Sequence, residues 1–263
     1  MKLVKNLLAL TTVALAATTV SATAQANELQ DIVKRGEIRV AVQTSGPLMS
    51  FINKNGERTG LAVEVAKRMA NDLGVELVLQ DYDWKGLIPA LTSGKVDMIA
   101  ADMTPTPERA IQVLFSRPVF FAETVAVVRD DSPYNSWEDL NDSKIQIGAL
   151  GASTYAEATT KLLPEASLKE YSGGSAPVGQ AISTGRVDAG VMARTTAEQF
   201  KVDFGNLKIL DGVMVNEPLA FAIKSDAYSL KFWLDNWIEM RTGDRSLPAM
   251  VDYWYSTDWK ADN

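Results

Sequence analysis

The sequence predicts an α/β fold of two lobes with a ligand cleft between them, and three observations carry that expectation. Short apolar runs of strand character alternate with stretches of helical spacing, the pattern of parallel sheets covered by helices. The alternation runs from Glu37 to about Ala101 and restarts in the same order at Lys144. The run Leu91-Thr92-Ser93-Gly94-Lys95-Val96-Asp97 is matched, class by class, by Ile182-Ser183-Thr184-Gly185-Arg186-Val187-Asp188, 91 residues later. In both, a helix ends at Gly beside a basic residue and a buried strand begins. Two similar lobes leave a natural ligand site where strand C-termini face each other.

In chain order, Glu37 to Val42 reads as a first strand, followed by a loop with a hairpin around Asn53-Lys54-Asn55-Gly56. Leu61, Val65, Met69 and Leu73 have helical spacing, and Gly74 stands at the stop. Val75 to Leu79 predicts a strand, Lys85 to Ser93 a helix, and Val96 to Ala101 a strand. In the second half the strands are Lys144–Leu150, Leu168–Tyr171 and Val187–Met192, with helices over Thr154–Leu163 and Pro177–Ser183. Leu219–Ile223 is a late strand and Leu230–Met240 an amphipathic helix.

Composition narrows the chemistry. The 263 residues hold 26 Lys and Arg against 33 Asp and Glu, with neither Cys nor His. Without Cys there are no disulfides, thiolate nucleophiles or thiolate metal sites. Without His there is no Ser-His-Asp triad and no imidazole ligand. A net charge of −7 argues against nucleic acid as a partner, because phosphates need clustered Lys and Arg. No metal or cofactor is expected. Residues 1–26 read as a secretory signal peptide: Lys2 and Lys5 precede the apolar stretch Leu7 to Ala17, and Ala22-Thr23-Ala24-Gln25-Ala26 offers small-residue cleavage sites. The stretch is too short to span a bilayer, and no Cys follows it to carry a lipid anchor. An exported, acidic protein is expected.

Thr104-Pro105-Thr106-Pro107-Glu108-Arg109 follows a strand end, where a ligand would sit. Pro107 suits the first turn of a helix. Arg109 then offers its planar fork to a carboxylate, with the Thr104 hydroxyl alongside; the alternative is a surface Arg paired with an acid. Gly151-Ala152-Ser153-Thr154 opens a helix whose free N–H groups suit an anion, or serves as a plain N-cap. Phe51 and Trp84 are candidates for an aromatic wall, or pack in the core. Trp233, Trp237, Tyr253, Trp254, Tyr255 and Trp259 are expected to be structural, closing the first lobe.

Gly60-Leu61-Ala62-Val63-Glu64-Val65-Ala66, Trp84 to Leu91, Gly94 to Asp97, Thr104 to Arg109, Phe115-Ser116-Arg117-Pro118, Leu150 to Thr154 and Gly185 to Asp188 stand in a specific order and spacing. Together they resemble the periplasmic solute-binding proteins of the polar amino-acid class of ABC importers (bacterial extracellular solute-binding protein family 3). The resemblance runs from about Leu29 to the C-terminus. It implies a type II periplasmic-binding-protein fold whose first lobe is discontinuous, 27–123 and 217–263, with 124–216 as the second lobe. It implies a periplasmic monomer that closes on a small solute bearing a carboxylate and passes it to the membrane permease of an ABC importer. By this resemblance Arg109, Thr104 and Thr154 hold the carboxylate, Phe51 and Trp84 form the aromatic wall, and Ser153 and Tyr155 meet the solute from the second lobe.

Two positions depart from the family pattern. Ala193 stands where the family carries an Asp for the solute's α-ammonium, and Asp102 replaces a small residue. Three outcomes follow: Asp102 takes over the ammonium, the cation is a different one seated against Phe51 and Trp84, or Arg194 holds a second carboxylate. For Arg194 the alternative is an exposed helix start. Two other functions compete with transport binding. One is an enzyme on the same fold; cyclohexadienyl dehydratases resemble this family, and the position of their proton-donating acid falls at Thr196. The other is a soluble sensory module.

Overall fold

The computed structural model describes residues 27–256 apart from Ser45 and Pro47. The expected signal peptide, 1–26, and Trp259 lie outside the described residues. The first half runs α1 (Glu28–Arg35), β1 (Glu37–Gln43), the hairpin β2 (Phe51–Ile52) and β3 (Arg58–Thr59), α2 (Leu61–Leu73), β4 (Glu76–Tyr82), α3 (Leu87–Thr92), β5 (Met98–Met103), α4 (Pro107–Ala110) and β6 (Val113–Phe115). The long strand β7 (Phe120–Arg129) leads to β8 (Gln146–Leu150), α5 (Thr154–Leu162), β9 (Ser167–Tyr171), α6 (Ala176–Ser183), β10 (Ala189–Ala193), α7 (Arg194–Phe204) and β11 (Leu207–Ile209). A second long strand, β12 (Val215–Lys224), returns to α8 (Tyr228–Gly243) and α9 (Ser246–Tyr255).

The two halves share one topology. β1 lies between β4 and β5, all parallel, and β12 pairs antiparallel with β5. β8 lies between β9 and β10, all parallel, and β7 pairs antiparallel with β10. β7 and β12 also pair with each other, Phe120 to Thr124 against Leu219 to Val215. The chain therefore passes between the halves along two paired strands, and α8 and α9 pack back on the first. Trp237 and Trp254, 5% and 2% exposed, sit in that first core with Ile38, Met69 and Leu234. The first lobe is discontinuous because its core needs these last helices.

The repeated motif has one structural meaning in both halves. Gly94 and Gly185 end their helices with φ of +74° and +69°, a conformation glycine adopts without a Cβ penalty. The Asp that follows accepts a backbone N–H from the neighbouring strand: Arg39 N to Asp97 Oδ2 and Gln146 N to Asp188 Oδ2, each at 2.8 Å. These carboxylates set the register, so β5 and β10 begin two residues later than Val96 and Val187, the starts expected from hydrophobicity. In the first lobe, Gly60 (φ +125°) has no room for a side chain, since a Cβ would lie 2.5 Å from the Met49 carbonyl. The N-terminus of α2 thus grips the preceding loop through Leu61 N to Leu48 O (2.7 Å) and Ala62 N to Met49 O (3.0 Å), which fixes Met49 at the cleft. No helix among the described residues is long and apolar enough to cross a membrane.

Candidate functional site

The C-terminal ends of β1, β5 and β8 converge on a cavity between the lobes. Gln43, Met49, Trp84, Asp102 and Thr104 face it from the first lobe, and Leu150, Ser153, Thr154, Tyr155, Ser175 and Thr196 from the second. The lobes are drawn together so far that little more than a water-sized space remains. A solute enters only if they part.

Arg109 is the pivot of this closed form. Thr106 caps the short helix α4 by accepting Arg109 N at 3.3 Å, and Pro107 occupies its first turn. The guanidinium is buried. Nη1 donates to the Thr104 carbonyl at 2.8 Å and Nη2 to the Ala152 carbonyl of the second lobe at 3.3 Å. Its Cζ lies 5.3 Å from the centre of the Trp84 ring, within cation–π range. Burial lowers its pKa, which the Glu157 and Glu217 carboxylates oppose. No carboxylate pairs with it among the described residues.

On the second lobe, Ser153 N-caps α5: its hydroxyl donates to the Leu150 carbonyl at 2.5 Å and accepts Ala156 N at 3.4 Å. The hydroxyl is committed to its own turn, and the N-cap alternative describes it. Thr154 and Tyr155 follow in the first turn and line the cavity. Burial pushes the Tyr155 phenol well up, with the Asp102 and Glu217 carboxylates adding to it.

Asp102 carries two marks of a special position. Its backbone is left-handed, φ +45°, where Asp and Asn are tolerated better than other side chains. Its Oδ1 is sealed from solvent and has no hydrogen-bond partner among the described residues. Such an oxygen costs free energy unless a proton or an incoming group satisfies it. Burial first, and the Glu217 charge second, push its carboxyl up to about 7. Leu48 and Ala152, at φ +67° and +57°, are also left-handed and also flank the cleft. Strained backbone of this kind collects at ligand sites.

Phe51, Ala193 and Arg194 do not line this cavity. Phe51 packs edge-on against Trp254, centroids 6.0 Å apart, in the first core; Met49 is the apolar wall residue instead. Ala193 is buried beside Thr124 on β7. Arg194 forms an ion pair with Glu123 and lines a wider, open cavity with Leu48, Phe121 and Val202. Tyr255, expected to be structural, also reaches that outer cavity, and Asp102 and Glu123 lie close enough to add to the burial that raises its phenol.

Glu217, in the crossing strand β12 and 6% exposed, is a site residue that the sequence reading did not single out. Thr124 donates to its Oε2 at 3.0 Å. Burial raises its pKa, and the Thr154 and Thr124 hydroxyls and the Arg109 charge hold it back. Its signal was its phase: Glu217 alternates with Leu219 and Phe221 on the buried face of the strand, where an acid needs a reason.

A family model of bacterial extracellular solute-binding proteins, family 3, matches residues 38–257. The arginine-binding extracellular protein ArtP of Bacillus subtilis (strain 168) is 34% identical over 167 residues, 63% of this chain and 65% of that protein. The L-cystine-binding protein TcyJ of Escherichia coli (strain K12) is 25% identical over 233 residues, 88% and 86% of the two chains. The crystal structure of the ancestral amino acid-binding protein AncCDT-1, a precursor of cyclohexadienyl dehydratase, is similar with a TM-score of 0.80 and 32% identity, covering 87% of this chain and 99% of that one. The family match extends from the first strand past the last described helix and so takes in both lobes, both crossings and the cleft: this chain belongs to the bacterial extracellular solute-binding proteins, family 3.

Proposed function

We propose that this protein captures a small solute bearing a carboxylate and a cationic group, an amino acid or a close analogue, in the periplasm and delivers it to the membrane permease of an ABC importer. The relatives named for arginine, cystine and amino acids support the amino-acid reading. The observation that carries it is Arg109, a buried guanidinium held between carbonyls of both lobes without a carboxylate partner among the described residues. A buried guanidinium with no carboxylate in direct contact leaves its fork unmatched, and that planar fork beside the Thr104 and Thr154 hydroxyls recognises a carboxylate in two-point fashion. Asp102 takes the cationic group. In this reading residues 1–26 are removed on export, lobe one is 27–123 with 217–263, lobe two is 124–216, and the protein works as a monomer. Binding is assigned rather than catalysis, since Thr196 offers a hydroxyl where the related dehydratases would place an acid.

Calorimetry against the common L-amino acids tests this. At least one is expected to bind, and Arg109→Ala is expected to weaken it about thirtyfold or more, the 2–5 kcal/mol that loss of a buried charged partner costs. Near-normal affinity in Arg109→Ala removes the anchor assignment, and no binding by the parent sinks the whole reading.

A further inference from the structure

We propose that Glu217, together with Asp102, makes the cleft selective for solutes with a single net positive charge: one carboxylate for Arg109 and two cationic groups. The inference rests on the solute-binding reading above and adds to it the charge class of the solute and a selectivity residue on the crossing strand.

Glu217 stands directly behind the cavity wall. It is paired in register with Ala122 at the middle of the crossing, its carboxylate accepts from the Thr124 hydroxyl, and the Thr154 hydroxyl lies close enough to favour its charged form. Thr154 itself lines the cavity. Glu217 therefore acts on a solute by its field, through Thr154 and Asp102, rather than by contact. Asp102, in the wall opposite, has the buried and unpartnered Oδ1 and feels the Glu217 charge. The interior thus holds two acids and one cation, Arg109.

The other titratable groups nearby do not alter this balance. The Tyr155 and Tyr255 phenols are held neutral, both pushed up by burial. The Glu157 and Glu108 charges reach Arg109, but both carboxylates are solvent-exposed and keep their water when the cleft closes, so they need no compensation from the solute. Glu123 is already paired with Arg194. With both acids ionised, a zwitterion leaves one uncompensated negative charge in the closed site, and an acidic solute leaves two. A solute with one carboxylate and two cationic groups leaves none. Uncompensated charge in a dry cleft is costly, so the balance selects. A zwitterion is neutralised only while the acid pair keeps one proton, which two close carboxylates share as a unit. Preference for the cationic solute should therefore grow as pH rises through the range where Asp102 ionises, about 7.

The experiment is calorimetry of the full chain with L-arginine, L-glutamine and L-glutamate at pH 6 and pH 8. The parent is expected to bind arginine at least about tenfold more tightly than glutamine at pH 8, and glutamate most weakly. The arginine preference should shrink at pH 6. Glu217→Gln keeps the shape and hydrogen bonding and removes the charge; it should cut the arginine-to-glutamine ratio at pH 8 by about tenfold, and Glu217→Asp should restore most of it. A structural role alone would weaken both solutes equally. A parent that binds glutamine or glutamate as tightly as arginine overturns this inference and leaves solute binding standing. A ratio unchanged in Glu217→Gln removes Glu217 from it. A parent that binds none of the three also overturns it, while the wider amino-acid panel decides the solute-binding reading. If Glu217→Gln does not fold, the parent's own order and the loss of arginine preference in Asp102→Asn at pH 8 decide.

Discussion

Trp84 donates its indole N–H to the Ala152 carbonyl at 2.9 Å, a single hydrogen bond that spans the cleft. Arg109 donates to the same carbonyl. Ala152 presents it by taking a left-handed backbone, φ +57°, at a cost of about 1–2 kcal/mol for a residue with a Cβ. The contact is the direct link between the turn that opens α5 and the aromatic wall of the first lobe. Closure is thereby written into backbone geometry as well as into side chains.

Trp84→Phe keeps a ring under Arg109 and removes the donor. One neutral hydrogen bond contributes about 0.5–1.5 kcal/mol, and lobes joined by two strands move readily. The unliganded variant should populate open forms more than the parent, with a larger radius of gyration by small-angle scattering and severalfold weaker solute binding. Identical scattering curves for the two proteins would show that the bond does not hold the lobes together.

Asp102 makes stability depend on pH. Its carboxyl sits at about 7 in the folded chain, against about 3.9 when unfolded. The folded form binds the proton more tightly, so this contribution is full below pH 4 and is lost as pH rises through 7. The unliganded parent should lose roughly 2–3 kcal/mol between pH 5 and pH 8 from this group, and Glu217, also raised, acts in the same sense. Asp102→Asn tolerates the left-handed backbone and should flatten the dependence, making the variant the more stable protein at pH 8. Urea unfolding at the two pH values measures it. A parent–variant difference that is the same at both would contradict the assignment.

The repeated Asp residues should differ in worth. Asp97 is fully buried and joins Arg35 and Arg39, each at 2.6 Å, as well as Arg39 N. Asp188 is exposed and accepts Gln146 N. Asp97→Ala leaves Arg39 without its ion-pair partner and Arg35 with Glu37 alone, and should cost about 3–5 kcal/mol, whereas Asp188→Ala should cost about 1 kcal/mol. Chemical denaturation of both variants compares them directly, and equal losses would falsify this account of the motif.

The residues legible in the sequence are those whose role is set within one turn or one strand. Pro107 and Thr106 start α4, Ser153 caps α5, Gly94 and Gly185 end their helices, and the periodicity of Leu61 to Leu73 defines α2. Trp84, Thr104 and Arg109 were readable as candidates because they follow strand ends, and strand ends face the cleft. Phe51 and Arg194 show the limit. Each is two residues from a cleft position, but Met49 lies in the turn before β2 while Phe51 is in the strand, and two residues carry a helix about halfway round its axis, so Met49 and Thr196 face inward in their place.

The sequence by itself determined that two α/β lobes form, that each ends a helix at Gly before a buried strand, and that an arginine follows the strand of the first. Which charges share the cleft was decided only by the tertiary structure. Asp102, Arg109, Tyr155 and Glu217 come from a strand, a short helix, a second-lobe helix and a crossing strand, and no local rule of spacing links them. They meet because β7 and β12 pair antiparallel and fold the late part of the chain back between the lobes. Burial there changes what each carboxylate does: the same Glu217 side chain on an exposed strand face would be an ordinary solvated acid, and in the crossing it is a charge that the rest of the site must balance.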